Sequence, residues 1–485
     1  MHRILKSLKV TTLKVNLVLA LVPALAHAQT ANPAEPVPGD APVTTPVPTP
    51  VTTPVVVAEP VKPADAPKPS VLSKFQTQFY GFVEQDSIYD STQSLSDGPG
   101  NAFISRNGTN AGQKGRLQFS IRNSRLGYKI AAPAMGSVKI SGIAEMDFLG
   151  NQPDSAVDKS GNPAVSEAAV WNNPGLRARH LLLKVENPIV DIWFGQTWNL
   201  FGGQPIVHPN SVQIQGLLGQ VYSRTTQIRL LHTFKTEPLN VEVAVALARP
   251  PQKEAAMPDL QGALKFQLNN WKGLHTSGST GTGVDPLTVS LSGIYRSFEM
   301  STDPTTSTVV NGWGVSVDAL IPVLPGSLDD RSNSLTLTAS YAMGAGIADM
   351  YSGMKTGVGI PTASIPGSPA PASLDANLVG LDPKTKAPSA VKLQSMIFGL
   401  QYYLPGGGKW WLAANYGSLA SDNAKDLVAS AKGALKSAMF WDACLFWDAA
   451  EGLRIGAEFA QTKTTYGDDG VATNNRAQLS AFYLF

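Results

Sequence analysis

The last residues of the chain carry the pattern that most constrains its fold. Apolar and polar residues alternate up to the final Phe485; one side reads Ala477, Leu479, Ala481, Tyr483 and Phe485, and the other begins Arg476, Gln478 and Ser480. A period of two indicates a β-strand between an apolar and a polar medium. Chain termini usually fray, whereas the last strand of a closed membrane barrel pairs with the first and must be ordered. The terminal segment therefore predicts a transmembrane β-barrel.

The composition agrees with a barrel and narrows the class of protein. Only 15% of the residues are charged, below the quarter that is usual for soluble domains. No run of residues approaches the roughly 18 apolar residues that a spanning helix needs. The net charge of +2 gives no support to nucleic-acid binding, which requires a strong basic surplus.

The N-terminal region predicts export followed by a flexible tether. Basic residues from Arg3 to Lys14 precede an apolar stretch and the small-x-small site Ala26–Ala28, so residues 1–28 are expected to be a signal peptide. Residues 29–72 are rich in Pro, Val, Thr and Ala, which predicts a disordered, extended linker in the periplasm. The single cysteine, Cys444, excludes a disulfide scaffold and is expected to be a packing residue.

Residues 73–485 are predicted to form an all-β, antiparallel, up-and-down barrel. Sixteen segments have strand character: 76–90, 115–130, 136–149, 176–187, 189–198, 222–235, 238–250, 259–272, 285–299, 310–323, 333–347, 391–404, 408–420, 437–449, 452–466 and 473–485. Short links alternate with long ones, as they do between the two rims of an outer-membrane barrel. About sixteen strands enclose a lumen wide enough for water. A soluble β-sandwich is the alternative, but Asp318 and Glu458 lie opposite apolar stripes and fit an aqueous interior better.

Three stretches depart from the simple pattern. The apolar parity of segment 115–130 changes near Asn123 and Ser124, which predicts a β-bulge there. Segment 176–187 places arginines and leucines on one parity, which suggests the hypothesis that the first five strands pack against another protomer. The link 272–285 is too long for a short turn, and its pattern does not explain why. Tryptophan and tyrosine residues near strand ends are expected to form interfacial girdles; they are Trp271, Trp410, Trp411, Tyr402, Tyr403 and Trp447.

The candidate functional residues are charged side chains on strands and one loop. The sequence contains neither G-x-S-x-G nor H-E-x-x-H, so no catalytic residue, metal ligand or cofactor is predicted. The loop 199–221 is apolar, has no Asp or Glu, and is expected to fold inward with His208. The predicted pore-lining set combines two carboxylates on lumen parity with arginines from nearby strands: Glu145, Asp147, Arg122, Arg125, Arg177, Arg179 and Arg229. These arginines could guide anions, could pair with the acids as wall supports, or could leave a cation-selective pore.

Four short segments resemble those of Gram-negative trimeric porins, in particular the DcaP-like family. Residues 124–129 (SRLGYK) resemble a segment on the second strand of these porins, and residues 177–180 (RARH) and 193–198 (WFGQTW) resemble the strands before their inward-folding third loop. Residues 224–229 (RTTQIR) resemble an R-x-x-Q-x-R strand of DcaP-like porins. The resemblance implies a sixteen-stranded homotrimer that favours negatively charged solutes such as dicarboxylates. It also implies lumen positions for Arg125, Arg179 and Arg229, and a terminal phenylalanine that signals insertion by the barrel assembly machinery.

Two features depart from that family. General porins place acids on the third loop, whereas this loop has none. DcaP-like members tend to begin with a coiled-coil extension, whereas this chain is Pro-rich there. The expected function is that of a homotrimeric porin in outer-membrane lipid, passing small hydrophilic and preferentially anionic solutes by passive diffusion. The alternatives are a structural barrel tethered to the cell wall through residues 29–72, and a barrel enzyme acting on lipids. Whether the loop 348–390 closes the pore stays open.

Overall fold

A computed structural model describes most of residues 74–485. The described residues exclude 99–101, 151–173, 205, 207, 215, 252–254, 256, 277–280, 302–306, 353, 355–377, 386 and 429. The predicted signal peptide and linker lie outside the described residues.

Sixteen antiparallel strands close into one barrel, as predicted. Each strand pairs with its neighbours in chain order, and the last pairs with the first. The strands are β1 (Gln76–Asp90), β2 (Arg116–Ser120 and Arg125–Ala131), β3 (Lys139–Gly150), β4 (Gly175–Glu186), β5 (Asp191–Trp198), β6 (Arg224–Lys235), β7 (Leu239–Ala248), β8 (Asp259–Thr276), β9 (Thr282–Ser301), β10 (Ser307–Leu324), β11 (Leu335–Ala345), β12 (Lys392–Tyr403), β13 (Trp410–Ser421), β14 (Leu435–Ala450), β15 (Leu453–Tyr466) and β16 (Val471–Leu484). The helical segments are Asn110–Gln113, Ala348–Met350, Ala424–Leu427 and Ala431–Gly433, and Val379–Leu381 pairs with Pro388–Ala390. No helix in the described residues combines the length and hydropathy needed to cross a bilayer.

The end of the chain closes the barrel. Phe485 and Gly81 exchange two backbone hydrogen bonds of 3.0 and 3.1 Å, which extend the pairing between β16 and β1. On β16, Leu479 and Tyr483 are exposed on the outside, whereas Ser480 and Phe482 are buried inside. The alternation therefore separates an apolar outer surface from the interior, as the terminal pattern predicts.

Two bulges account for the irregular early strands. The six residues from Ser120 to Arg125 lie opposite five of β1, which confirms the bulge predicted near Asn123 and Ser124. On β4, Arg179 is the extra residue where the pairing with β3 shifts. Beyond it Leu181 faces outward, so a bulge explains the mixed parity without a second protomer. An oligomer interface on the first five strands therefore stays a prediction, and the mixed parity no longer supports it.

The two rims of the barrel differ. One, here called the short-turn rim, carries the chain's end and short connections such as 187–190 and 451–452; the other, the long-loop rim, carries connections such as 91–115 and 346–391. Trp271, Trp410 and Trp447 are exposed near the short-turn rim, as expected of a girdle. The expectation is wrong for Trp411 and Tyr403, which are buried inside the barrel. Adjacent strand residues face opposite sides, so Trp410 and Trp411 cannot both face outward.

An apolar core lies inside the barrel, towards the long-loop rim. The third loop (residues 199–223) contributes Phe201 and Leu218, and the sixth loop (residues 346–391) contributes Ile347 and Met350, which pack with wall residues such as Phe440. The strand count alone predicts a wide, water-filled lumen, but these loops occupy much of it, because their apolar side chains gain burial there. The described ends of the loop 348–390 therefore lie inside the barrel.

Candidate functional site

The third loop crosses the lumen from one wall to the opposite wall. Near β5, the backbone N–H of Leu200 donates to the Gln261 side chain of β8 over 2.9 Å. On the far side, Asn415 of β13 donates to the carbonyl oxygen of Asn210 over 2.7 Å. The loop therefore folds inward, as predicted, and divides the interior.

A buried carboxylate on β15 fixes the middle of this loop. Glu458 accepts hydrogen bonds from the Ser211 hydroxyl and from the backbone N–H groups of Val212 and Gln213, over 2.9, 2.7 and 3.0 Å. At the other end, Gly203 has φ +63°, and a Cβ there would lie 2.4 Å from Cγ of Asp318 on β10. Only glycine allows this close approach without strain.

Glu458 belongs to a group of potential metal ligands with Asp442 and Cys444, whose ligand atoms lie within 4.8 Å of one another. Glu458 is engaged by the third loop, and Asp442 accepts from the backbone and side chain of Asn415. Cys444 packs in an apolar cluster inside the barrel, as expected of a packing residue. Glu458 binds the third loop directly, and Asp442 holds Asn415, which binds the same loop. The group therefore anchors the third loop.

Ion pairs bring five of the predicted site residues together on β2, β3 and β4. Glu145 lies 2.7 Å from Arg179 and 3.6 Å from Arg125. Asp147 lies 2.9 Å from Arg179 and 2.6 Å from Arg177. The strand register explains the grouping. Arg125 of β2 lies directly opposite Asp147 of β3 in the sheet, and the bulge at Arg179 turns both β4 arginines inward.

A fourth arginine, Arg224 on β6, joins the group and was not among the predicted site residues. Its guanidinium lies 4.4 Å from the Trp198 ring centre and 5.3 Å from that of Tyr222. The Tyr222 hydroxyl accepts from Arg179 over 3.4 Å, which links Arg224 to the ion pairs. The available signal was its position at the start of the RTTQIR segment. Arg125, Arg177, Arg179 and Arg224 are called the arginine cluster below.

The cluster has an excess of positive charge. Its four guanidinium groups face two carboxylates, Glu145 and Asp147, an excess of two charges. Arg224 pairs with no carboxylate among the described residues, and one of its Nη atoms is buried without a hydrogen-bond partner. The arrangement can therefore receive a further acceptor with negative charge.

The remaining predicted residues lie beside the cluster or apart from it. Arg122 pairs with Asp97 of the first loop over 3.1 Å. Arg229 lies beneath the start of the third loop, where it donates to the Gln227 side chain over 2.9 Å. His208 packs edge-on against Trp198 with ring centres 5.4 Å apart, which places the loop next to the arginine cluster.

A cavity of about 600 Å³ lies next to the cluster, towards the short-turn rim. Its wall includes Tyr80, Arg125, Lys129 and Glu145, and its opposite side is formed by residues 281–283. The Tyr80 hydroxyl donates to Glu145 over 3.0 Å, and the Lys129 ammonium lies 4.7 Å from the Tyr80 ring centre. Arg125 and Glu145 thus belong both to the ion-paired group and to the wall of this cavity.

Comparisons with known proteins concern the fold. No protein-family model and no curated protein sequence matches this chain. The crystal structure of the outer membrane channel DcaP of Acinetobacter baumannii superposes with a TM-score of 0.59 at 18% identity, over 85% of this chain and 98% of that one. Salmonella typhi OmpF (TM-score 0.47, 11% identity, 85% and 98% covered) and an anion-selective porin from Comamonas acidovorans (TM-score 0.46, 10% identity, 85% and 100% covered) are more distant. The predicted resemblance to DcaP-like porins is thus confirmed for the fold.

Proposed function

We propose that this chain forms an outer-membrane channel through which small hydrophilic anions diffuse passively. An apolar outer wall with a charged interior suits a barrel in a bilayer. The short-turn rim then faces the periplasm and the long-loop rim faces outward. Carboxylates, including dicarboxylates, are the proposed class of solute.

The arginine cluster is the observation that carries this proposal. Planar guanidinium groups bind carboxylates in a bidentate manner, and Arg224 has no carboxylate partner among the described residues. The third loop, which faces the cluster, contains no acidic residue that would oppose an anion. A passing anion would exchange part of its hydration for these groups and would meet a favourable field.

The proposed path follows the wall of β1 to β4. The third and sixth loops pack against other wall strands, such as β14, through an apolar cluster. The 600 Å³ cavity beside Arg125 lies on the same side as the cluster and leads towards the short-turn rim. The channel is thus narrow and eccentric, with the cluster beside it.

The proposal extends to targeting and assembly. Residues 1–28 direct export, residues 29–72 lie in the periplasm, and the barrel assembly machinery inserts the chain with Phe485 as its signal. Three copies associate in the membrane. Sedimentation in detergent tests the assembly, and a monomer alone would contradict it.

Planar-bilayer recording tests the function. The refolded protein without residues 1–28 is added to one chamber, and conductance and reversal potential are measured in a salt gradient. We expect stepwise openings, in threes for a trimer, with a reversal potential that favours anions. A silent bilayer despite a folded, heat-modifiable barrel would contradict a channel, and a cation-favouring potential would contradict the anion preference.

A further inference from the structure

The long link 272–285 continues a hairpin of β8 and β9. β8 extends to Thr276 and β9 begins at Thr282, so both arms are paired beyond the wall of the barrel. The register shifts between Pro286 and Leu287, and Asn269–Trp271 on β8 have no paired residues opposite them. A bulge of this size beside a proline bends the hairpin sharply. The part beyond the bend is called the inner hairpin; its described residues are 272–276 and 281–286.

The inner hairpin enters the lumen and contacts strands that are not its neighbours. The Thr276 N–H donates to Gln401 of β12 over 3.1 Å. The carbonyl oxygen of Leu274 accepts from the Thr336 hydroxyl of β11 over 2.5 Å. Both partners are inward-facing side chains, and β10 separates β9 from β11 in the wall. The inner hairpin therefore lies inside the barrel.

Polar and apolar contacts hold the inner hairpin in place. The hydroxyl groups of Thr276, Thr282 and Tyr403 form a triangle with sides of 2.6, 2.9 and 3.0 Å. Leu274 is fully buried in the apolar cluster of Cys444. The other members of that cluster are Val212, Tyr403, Trp411, Ala413, Phe446 and Phe482. The contacts are those of a packed element.

The inner hairpin and the third loop meet in the middle of the lumen. The ring of His275 lies 3.4 Å from the carbonyl oxygen of His208, and its other nitrogen lies 3.2 Å from Asp285. Gln401 accepts hydrogen bonds from both Asn210 of the loop and Thr276 of the hairpin. The two elements thus form one internal partition on the side of β11 to β16.

The free edge of this partition faces the arginine-bearing wall. Residues 281–283 form one side of the 600 Å³ cavity, and Tyr80, Arg125 and Lys129 form the other. A Cβ at Gly281 would have no atom within 4 Å, so the space beside the hairpin is open there.

From this geometry we propose that the inner hairpin is a second specificity-determining element, which sets the size of the exit on the periplasmic side. The third loop bounds the path beside the arginine cluster, and the inner hairpin bounds it beyond the cluster. The inference rests on the proposed channel function. It assigns size selection to a periplasmic hairpin and leaves charge selection to the arginine cluster.

Two variants should change the channel in opposite directions. In the first, Asn-Gly replaces residues 274–284 and joins the paired residues Gly273 and Asp285, a geometry that a two-residue turn can close. We expect its single-channel conductance to increase about twofold, with a larger size limit for neutral polymers, because the exit widens. In the second, Gly281→Trp fills the open space and should decrease both. Leu328→Trp places the same side chain at an exposed position of the short-turn rim and should change neither.

The outcomes separate this inference from the proposed function. If the unmodified protein is silent, the channel proposal fails. If the unmodified protein conducts and both variants, folded by heat-modifiability, keep its conductance and size limit, the hairpin does not bound the path and the inference is overturned. The Gly281→Trp variant keeps every hairpin contact described above, so the test does not depend on the shortened chain folding.

Discussion

Replacing Arg224 with glutamine is the sharpest test of the proposed anion channel. Arg224 adds positive charge to the cluster, yet it forms no ion pair with a described carboxylate and contacts the rings of Trp198 and Tyr222. Glutamine keeps a polar side chain and removes the charge. Because Glu145 and Asp147 keep their other arginine partners, the substitution should alter the field more than the packing.

The size of the effect follows from the loss of one of the two excess positive charges of the cluster. A unit charge about 8 Å from a solute contributes about 0.5 kcal/mol when water fills the space between them, and more where water is excluded. The contribution has opposite signs for anions and cations, so their ratio should shift by about 1 kcal/mol, which is about fivefold. High salt should reduce the shift, because ions screen the field.

The reversal potential in a potassium chloride gradient measures this ratio directly. The matched control is Arg249→Gln, which makes the same chemical change at an exposed position beyond β7. We expect Arg224→Gln to lower the ratio of anion to cation permeability about fivefold at low salt and the control to leave it unchanged. Equal permeability ratios for Arg224→Gln and the unmodified channel would refute the assignment of charge selection to the cluster.

Three further substitutions test the elements around the path. Glu458→Ala removes the acceptor of four hydrogen bonds from the third loop. It should lower the free energy of unfolding by about 1–3 kcal/mol and make the open channel noisier, and a quiet channel of unchanged stability in denaturant titration would contradict the anchor. Gly203→Ala should lower the thermal unfolding temperature more than Gly406→Ala, since both have positive φ but only the first meets a neighbouring side chain. Arg106 of the first loop donates a hydrogen bond to Asp468 of the last loop, which holds the pKa of this exposed carboxyl below its usual range. The contact is therefore complete at neutral pH and is lost as the pH falls through the lowered pKa. Asp468→Asn should expose the first loop to protease at neutral pH, as acid should in the unmodified protein, and equal digestion of both proteins at neutral pH would exclude the contact as a restraint.

The strands were predictable because their pattern is local. A period of two survives in each strand whatever its neighbours are, and the sixteen segments appear in the structure at closely similar positions. The choice between Trp410 and Trp411 was also local in principle, since only one of two adjacent residues can face outward. Parity across the whole of β13 would have assigned Trp411 to the interior.

The site was only partly predictable, because it depends on register and on contacts distant in sequence. Glu145 was identified by its lumen parity and Arg179 as an arginine on a nearby strand, but their pairing follows from the registers among β2, β3 and β4, which composition does not determine. Arg224 reaches the cluster through the aromatic rings of Trp198 and Tyr222 rather than through an acid. The inner hairpin was not predictable, because its bend depends on how β8 and β9 pair. The register shifts beside Pro286 and leaves three residues of β8 unpaired.

Wall support and anion guidance, which the sequence leaves as alternatives, are compatible in this arrangement. Arginines on a partly desolvated wall repel one another, and the cost of burying them falls when carboxylates and hydrogen bonds satisfy part of their charge. Glu145 and Asp147 do this for Arg125, Arg177 and Arg179, and they hold the guanidinium groups in place. Full compensation would remove the field, whereas an excess of two charges keeps it. In the proposed channel the acids would fix the geometry while the excess charge would attract the solute, so the ion pairs that stiffen the wall would also hold the cluster around Arg224 at a defined point of the path.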